Sequence, residues 1–221
     1  MLRPFCFEDL QENKRPLLAS VASVCLVASS GAPLSRVAFS PTPLKPSPAP
    51  NRSLLANVNE NGPYKLTPER RALLNTIRYA EGTWKDGQDQ GYQVMYGGGK
   101  FQDLSRHPET VVKKRYSSAA AGAYQFLPTT WKGLAKELKL SSFEPKHQDQ
   151  AALHLVKRRG ALQEIDRSGL TPRAMAKLAP EWASFPTRAG RSAYGQPVKT
   201  HQELARFYSS NLRDLKRHLG A

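Results

Sequence analysis

Cysteine is nearly absent. The 221-residue chain has two, Cys6 and Cys25, both near the N-terminus. That excludes a disulfide framework or a zinc ribbon for the rest of the chain. Acidic residues are scarce as well, 18 against 33 Lys and Arg, for a net charge of +15. Such an excess points to an anionic partner, whether nucleic acid, a membrane surface or an acidic cell-wall polymer, without choosing among them. A membrane-spanning run is missing, because the apolar stretch at 16–28 is about 13 residues and a span wants roughly 20. The five histidines, His107, His147, His154, His201 and His218, include no pair at i+3 or i+4. His147 and His154 would stand roughly 10 Å apart along a helix, too far to share a metal. No Ser-His-Asp order can be inferred, and the glycines at 97–99 are not followed by the Gly-Lys-Ser/Thr of a phosphate loop. Neither a metal nor a cofactor is expected.

The chain divides by texture. Residues 1–32 place Lys14 and Arg15 before the apolar stretch and Ser29, Ser30, Gly31 and Ala32 after it. This resembles a secretory signal peptide. It predicts export to the periplasm or the cell exterior, with a membrane tether if the leader stays uncleaved; a poorly packed leader is the plainer alternative. Residues 33–63 hold seven of the 17 prolines. Proline removes backbone donors and bars helix in the residue before it, so this stretch reads as a disordered linker. Residues 64–221 carry 27 basic and 14 acidic side chains, so any electrostatic function belongs to this folded part.

Helical signals dominate from residue 64 onward. Thr67-Pro68-Glu69 opens a first helix, with Thr as N-cap and Pro at the first helical position. Ala72, Leu73, Ile77 and Ala80 form its stripe, and Gly82 ends it. Residues 92–96 and 100–104, joined by the three glycines, read as a small hairpin. Helical patterns resume at 128–139, 145–159 and 171–184. A last helix begins at Thr200 with Glu203 three residues on, a capping box, and buries Leu204, Phe207, Tyr208, Leu212 and Leu215. The expected fold class is α+β, mainly helical, with a small β-hairpin lobe over a cleft.

Glu81 is the first chemical candidate. It sits at the end of the first helix, where the partial negative charge of the helix terminus and partial burial both favour its protonated form. A carboxylic acid protonated near neutral pH is what cleavage of a glycosidic bond requires. Taken alone, Glu81 fits an ordinary exposed glutamate before a glycine cap better. The small-residue run 117–123 leads into Tyr124, Gln125 and Phe126, where an aromatic ring and an amide suit a sugar face and its hydroxyls. In isolation that run reads more readily as a packing segment. Trp182 and Phe185 belong to the core, whereas Tyr194 and Gln196, on a glycine-containing loop, are better placed to meet a ligand. Lys113-Lys114-Arg115, Lys157-Arg158-Arg159 and the Arg213 to Arg217 run read by default as solvated faces. They lack a nucleic-acid reading motif, so no specific nucleic acid is expected.

Taken in order, eight short stretches resemble the lambda-type phage lysozymes, a family of peptidoglycan lytic transglycosylases. They are Ala80-Glu81-Gly82-Thr83, Gly91-Tyr92-Gln93-Val94 with Gly97-Gly98, Ser105-Arg106-His107-Pro108, Gly122-Ala123-Tyr124-Gln125, residues 143–149, Arg159-Gly160-Ala161-Leu162, Trp182-Ala183-Ser184 and Tyr194-Gly195-Gln196. The resemblance implies a lysozyme-like fold and an enzyme that cleaves the β-1,4 bond between N-acetylmuramic acid and N-acetylglucosamine. It places Glu81 on the catalytic glutamate, acting first as acid and then as base, with 1,6-anhydro ends as product. It further implies that Tyr92, Tyr124, Gln125, Tyr194 and Gln196 line the sugar groove. The implied partners are peptidoglycan glycan strands, with anionic envelope polymers as possible second partners, for a monomer. A plain glycosidase would need a second carboxylate, and Asp86 and Asp89 are the nearest candidates, though both read as loop residues. Two departures stand out: the loop from Thr83 to Gly91 is shorter, and residues 187–192 are an insertion before Tyr194. A hydrolytic muramidase on the same fold, and a non-catalytic basic module that binds cell wall or nucleic acid, remain as alternatives.

Overall fold

The computed structural model describes residues 62–85, 88–114 and 116–219. The leader, nearly all of the linker, Cys6, Cys25, Asp86 and Arg115 lie outside them. Helix α1, Pro68–Ala80, forms where its caps predict: Thr67 Oγ1 accepts from the Arg70 amide at 3.3 Å and Pro68 stands in the first turn. It runs through the centre of the molecule, so Leu73, Leu74 and Ile77 are all fully buried. Truncating any of them to Ala would cost about 2–5 kcal/mol.

The other α-helices among the described residues are α2, Pro128–Leu138, α3, Pro145–Arg158, α4, Leu162–Ser168, α5, Pro172–Leu178, and the long α6, His201–Leu219; α3, α4 and α6 pack against α1, and α2 packs on α3. The α6 stripe is largely as the sequence predicts, with Leu204, Tyr208 and Leu215 buried. Phe207 stacks on Tyr79 of α1 at 4.2 Å between ring centres. The capping box forms: Thr200 Oγ1 accepts from the Glu203 amide at 3.1 Å, and the Thr200 amide donates back to the Glu203 carboxylate. That carboxylate also takes the Tyr79 hydroxyl at 2.7 Å and Lys199 at 2.8 Å, which fastens the helix start to α1.

Two expectations need correction. Residues 92–104 form an irregular hairpin: Val94 and Lys100 pair as an isolated antiparallel bridge, Phe101 N donates to the Gln93 carbonyl at 3.0 Å, and two 3₁₀ turns, Asp89–Gln93 and Tyr96–Gly98, stand where regular strands were expected. The paired strands lie later, β1 at Val112–Lys113 and β2 at Ser117–Ser118, antiparallel. Two residues per strand are too few to leave a period in the sequence. The helix expected over 171–184 stops at Leu178, because Pro180 follows its cap and restricts the residue before it.

The small-residue segment 117–126 is stitched to the 94–96 segment through Tyr96 N to Ala120 O at 2.8 Å and Gly122 N to Val94 O at 2.9 Å. Gly122 has φ +81°, and a Cβ there would fall 2.3 Å from Gln148 Oε1 and 2.8 Å from the Phe143 ring. Only glycine lets the backbone come so close. Gln148 uses that approach, accepting from Ala123 N at 2.8 Å and donating to the carbonyls of Tyr92 at 3.1 Å and Phe143 at 2.7 Å. The segment is thereby held against α3.

Candidate active site

Glu81 is the C-cap residue of α1, with its amide on the Ile77 carbonyl at 2.9 Å, and Gly82 follows at φ +72° to turn the chain away. The residue is half-buried, and the partial loss of solvent around its carboxyl raises its pKa to about 7. One side chain opposes that shift: Ser184 Oγ donates to Glu81 Oε1 at 2.5 Å. The direction is the one expected from the helix end and its apolar surroundings, with desolvation as the main cause. A protonated carboxyl at neutral pH, held by one hydroxyl, can donate a proton to a bound acceptor and take one back.

The segment leaving Glu81 is tied to Arg78. The amides of Thr83 and Trp84 donate to the Arg78 carbonyl at 2.9 and 3.0 Å, and Arg78 Nη2 donates to the Gln88 carbonyl at 2.7 Å. The Arg78 guanidinium is fully buried between the Trp84 ring at 5.1 Å and the Tyr92 ring at 4.6 Å. Aromatic faces on both sides stabilise its charge without bringing it onto Glu81. Thr83 Oγ1 also donates to the Ala123 carbonyl at 2.6 Å, joining this segment to the one that carries Tyr124.

On the other side of Glu81, Trp182 is buried and donates its indole N–H to the Tyr124 carbonyl at 3.2 Å. That anchor sets Ser184 two residues further on. The Ser184 carbonyl in turn accepts from the Lys199 amide at 3.0 Å. Glu81 and Ser184 are 103 positions apart in sequence, so no local spacing announces their contact. The sign that was available is the Trp182-Ala183-Ser184 stretch itself, which belongs to the family resemblance but has no role assigned there.

The five other residues expected in the groove divide into two groups. Tyr92 and Tyr124 are each 1 % exposed, and both hydroxyls donate to Asp149 Oδ1, at 2.7 and 2.5 Å. A ring that stacks on a sugar must show a face, so these two hold the core behind the site. Gln125 sits half-buried at φ +49°, with its side-chain amide donating to the carbonyls of Gly122 at 2.9 Å and Val94 at 3.2 Å. Its amide hydrogens are committed to keeping a strained backbone in place. Tyr194 and Gln196 stay half-exposed on the loop that follows Ser184, as the sequence suggests. The Tyr194 hydroxyl donates to the Pro180 carbonyl at 2.8 Å. Asp89 is exposed in the first 3₁₀ turn. Among the described residues no three His, Cys, Asp or Glu side chains gather as a metal site.

Known proteins are similar to this chain in sequence and fold. The Endolysin family model matches residues 71–214. The endolysin of Escherichia phage lambda is 37% identical over 137 residues, which are 60% of this chain and 84% of the phage protein. The endolysin of Escherichia phage P2 is 34% identical over 147 residues, 60% of this chain and 86% of its own. Bacteriophage lambda lysozyme, solved in complex with a chitohexasaccharide, superposes with a TM-score of 0.60 at 34% identity, covering 67% of this chain and 96% of that one. The chain therefore belongs to the endolysin family, as a lambda-type, lysozyme-fold enzyme of peptidoglycan degradation.

Proposed function

We propose that this endolysin is a lytic transglycosylase acting on the β-1,4 bond between N-acetylmuramic acid and N-acetylglucosamine, with Glu81 as its one general acid and base. The observation that carries this reading is the Glu81 carboxyl, half-buried at a helix end, poised near neutral pH and met by one hydroxyl. In the first step the Glu81 proton passes to the glycosidic oxygen, and the bond from that oxygen to the muramic C1 breaks. In the second, the muramic C6 hydroxyl bonds to C1 and its proton returns to Glu81. The chain ends in a 1,6-anhydro sugar, no water is consumed, and the acid is regenerated.

A retaining hydrolase would set a second carboxylate about 5 Å away. A like charge so near raises a carboxyl's pKa by repulsion. Burial raises the Glu81 pKa and the Ser184 hydroxyl lowers it, and Asp89, the candidate second carboxylate among the described residues, stands exposed in the first 3₁₀ turn. The chitohexasaccharide bound to the lambda lysozyme supports a glycan as ligand here too. Residues 1–63 fit the same role: an exported leader and a linker would deliver the domain to the wall, together with the basic face that suits anionic envelope polymers. The groove itself would use Tyr194 and Gln196, the two expected residues that keep exposed surface.

Mass spectrometry of the fragments released from purified peptidoglycan tests the reading. Anhydro ends, one water lighter than reducing ends, are expected; reducing ends throughout would make the enzyme a hydrolase. Glu81→Gln should lower the rate by roughly 10²- to 10⁴-fold, the usual contribution of general acid–base catalysis.

A further inference from the structure

The insertion at 187–192 lies within a loop whose shape the structure defines closely. Its ends are joined by the Lys199 amide on the Ser184 carbonyl at 3.0 Å, so residues 185–198 form a closed surface loop. Phe185 and Pro186 bury its root. Its tip folds back on itself: the Thr187 amide and Oγ1 both donate to the Arg191 carbonyl at 2.8 Å, and the Gly190 amide donates to the Thr187 carbonyl at 2.8 Å. Gly190 supplies the φ of +72° that this turn requires. Ser192 Oγ takes the Tyr194 amide at 2.9 Å, and the Tyr194 hydroxyl pins the far limb to the Pro180 carbonyl.

This ordered tip presents Arg188 and Arg191 to solvent. The loop contains no Asp or Glu. The acidic residues that flank it are already engaged, Glu181 by Arg159 at 2.7 Å and Glu203 by Lys199 and Tyr79. Neither loop arginine makes an ion pair among the described residues, whereas Arg70, Arg71 and Arg159 each do. Their position is tied to the site. Ser184 touches Glu81, and Arg188 is four residues beyond it, at most roughly 14 Å along the chain. The bond between Thr187 and Arg191 returns the second arginine to the same neighbourhood.

We propose that Arg188 and Arg191 form a carboxylate-binding site for the peptide stems on the glycan strand beside the bond to be cleaved. This rests on the glycan-cleaving reading above. The guanidinium fork pairs with a carboxylate through two parallel hydrogen bonds, a geometry lysine does not offer. Two forks on one closed loop meet a stem carboxylate with little of their backbone left to order. The loop thereby distinguishes stem-bearing strands from bare ones, while Glu81 performs the same chemistry on both.

The test compares soluble glycan strands bearing their stems, strands whose stem carboxylates are amidated, and strands stripped of stems. The native protein should show the lowest KM on the first and similar, higher values on the other two. Arg188→Gln with Arg191→Gln should raise KM on stem-bearing strands about five-fold, as expected for two exposed ion pairs, and cancel the native preference. The melting temperature reports separately on folding. Equal losses on all three substrates, or a native preference that survives the double substitution, would overturn the proposal. Failure of the native protein to cleave any of the three strands would instead overturn the glycan-cleaving reading, and this site with it.

Discussion

Asp149 and Glu81 are both carboxyl groups drawn out of bulk water, and their surroundings differ in kind. Asp149 on α3 is 2 % exposed and fully partnered: Arg71 of α1 pairs with its Oδ2 at 2.5 Å, and the Tyr92 and Tyr124 hydroxyls converge on Oδ1. Burial works against the Arg71 charge, and Asp149 with the two tyrosines overcomes it, leaving the guanidinium well above its ordinary pKa. Glu81, one end of α1 away, has no cation and a single hydroxyl. The first arrangement fixes a charge; the second leaves a proton that can be moved. A buried carboxyl is structural or chemical according to what satisfies it.

Breaking the Asp149 centre should give the largest effect on folding. Asp149→Asn leaves Arg71 buried without its counter-charge, and such losses cost about 3–5 kcal/mol. Denaturant unfolding should show that loss at every pH near neutrality, and the core behind the site should loosen with it, since Tyr92 and Tyr124 share the same oxygen.

Glu81→Gln should act in the opposite sense on stability. In the native protein this carboxyl holds its proton up to about pH 7, while the unfolded chain releases it near 4.5. The native state therefore binds more protons across that window, and stability falls as pH rises through it. The loss is of the order of 3 kcal/mol for a shift of this size. The glutamine variant lacks that slope. It should match the native protein at pH 4 and be the more stable one at pH 8, though inactive; a parallel pH dependence in both would contradict the burial of the acid.

A smaller effect distinguishes Ser184. Its hydrogen bond lowers the Glu81 pKa against burial, so Ser184→Ala should move the alkaline limb of the pH–rate profile to higher pH. An unshifted limb with a reduced rate would mean that the serine only positions the carboxyl.

The same contrast explains what was legible in the sequence. Thr67, Pro68 and Gly82 announce α1, local features read within a few residues, whereas Glu81 at that helix end stands out only with the family resemblance beside it. The remaining partners are distant. Asp149 meets Tyr92 and Tyr124 across 57 and 25 positions, so two aromatics that looked suited to a sugar face are drawn into the core. Ser184 meets Glu81 only because Trp182 and the closure at Lys199 put it there. In the 92–126 region only the hairpin at 92–104 is legible, and as regular strands, because single bridges and two-residue strands follow backbone hydrogen bonds and glycine conformations, without any alternation of side chains.

The central claim concerns the proton on Glu81, and a pH titration of its carboxyl carbon by NMR measures it directly, with Glu81→Gln to assign the signal. The account predicts a midpoint at about 7. A midpoint at the ordinary glutamate value of 4.5 would contradict it.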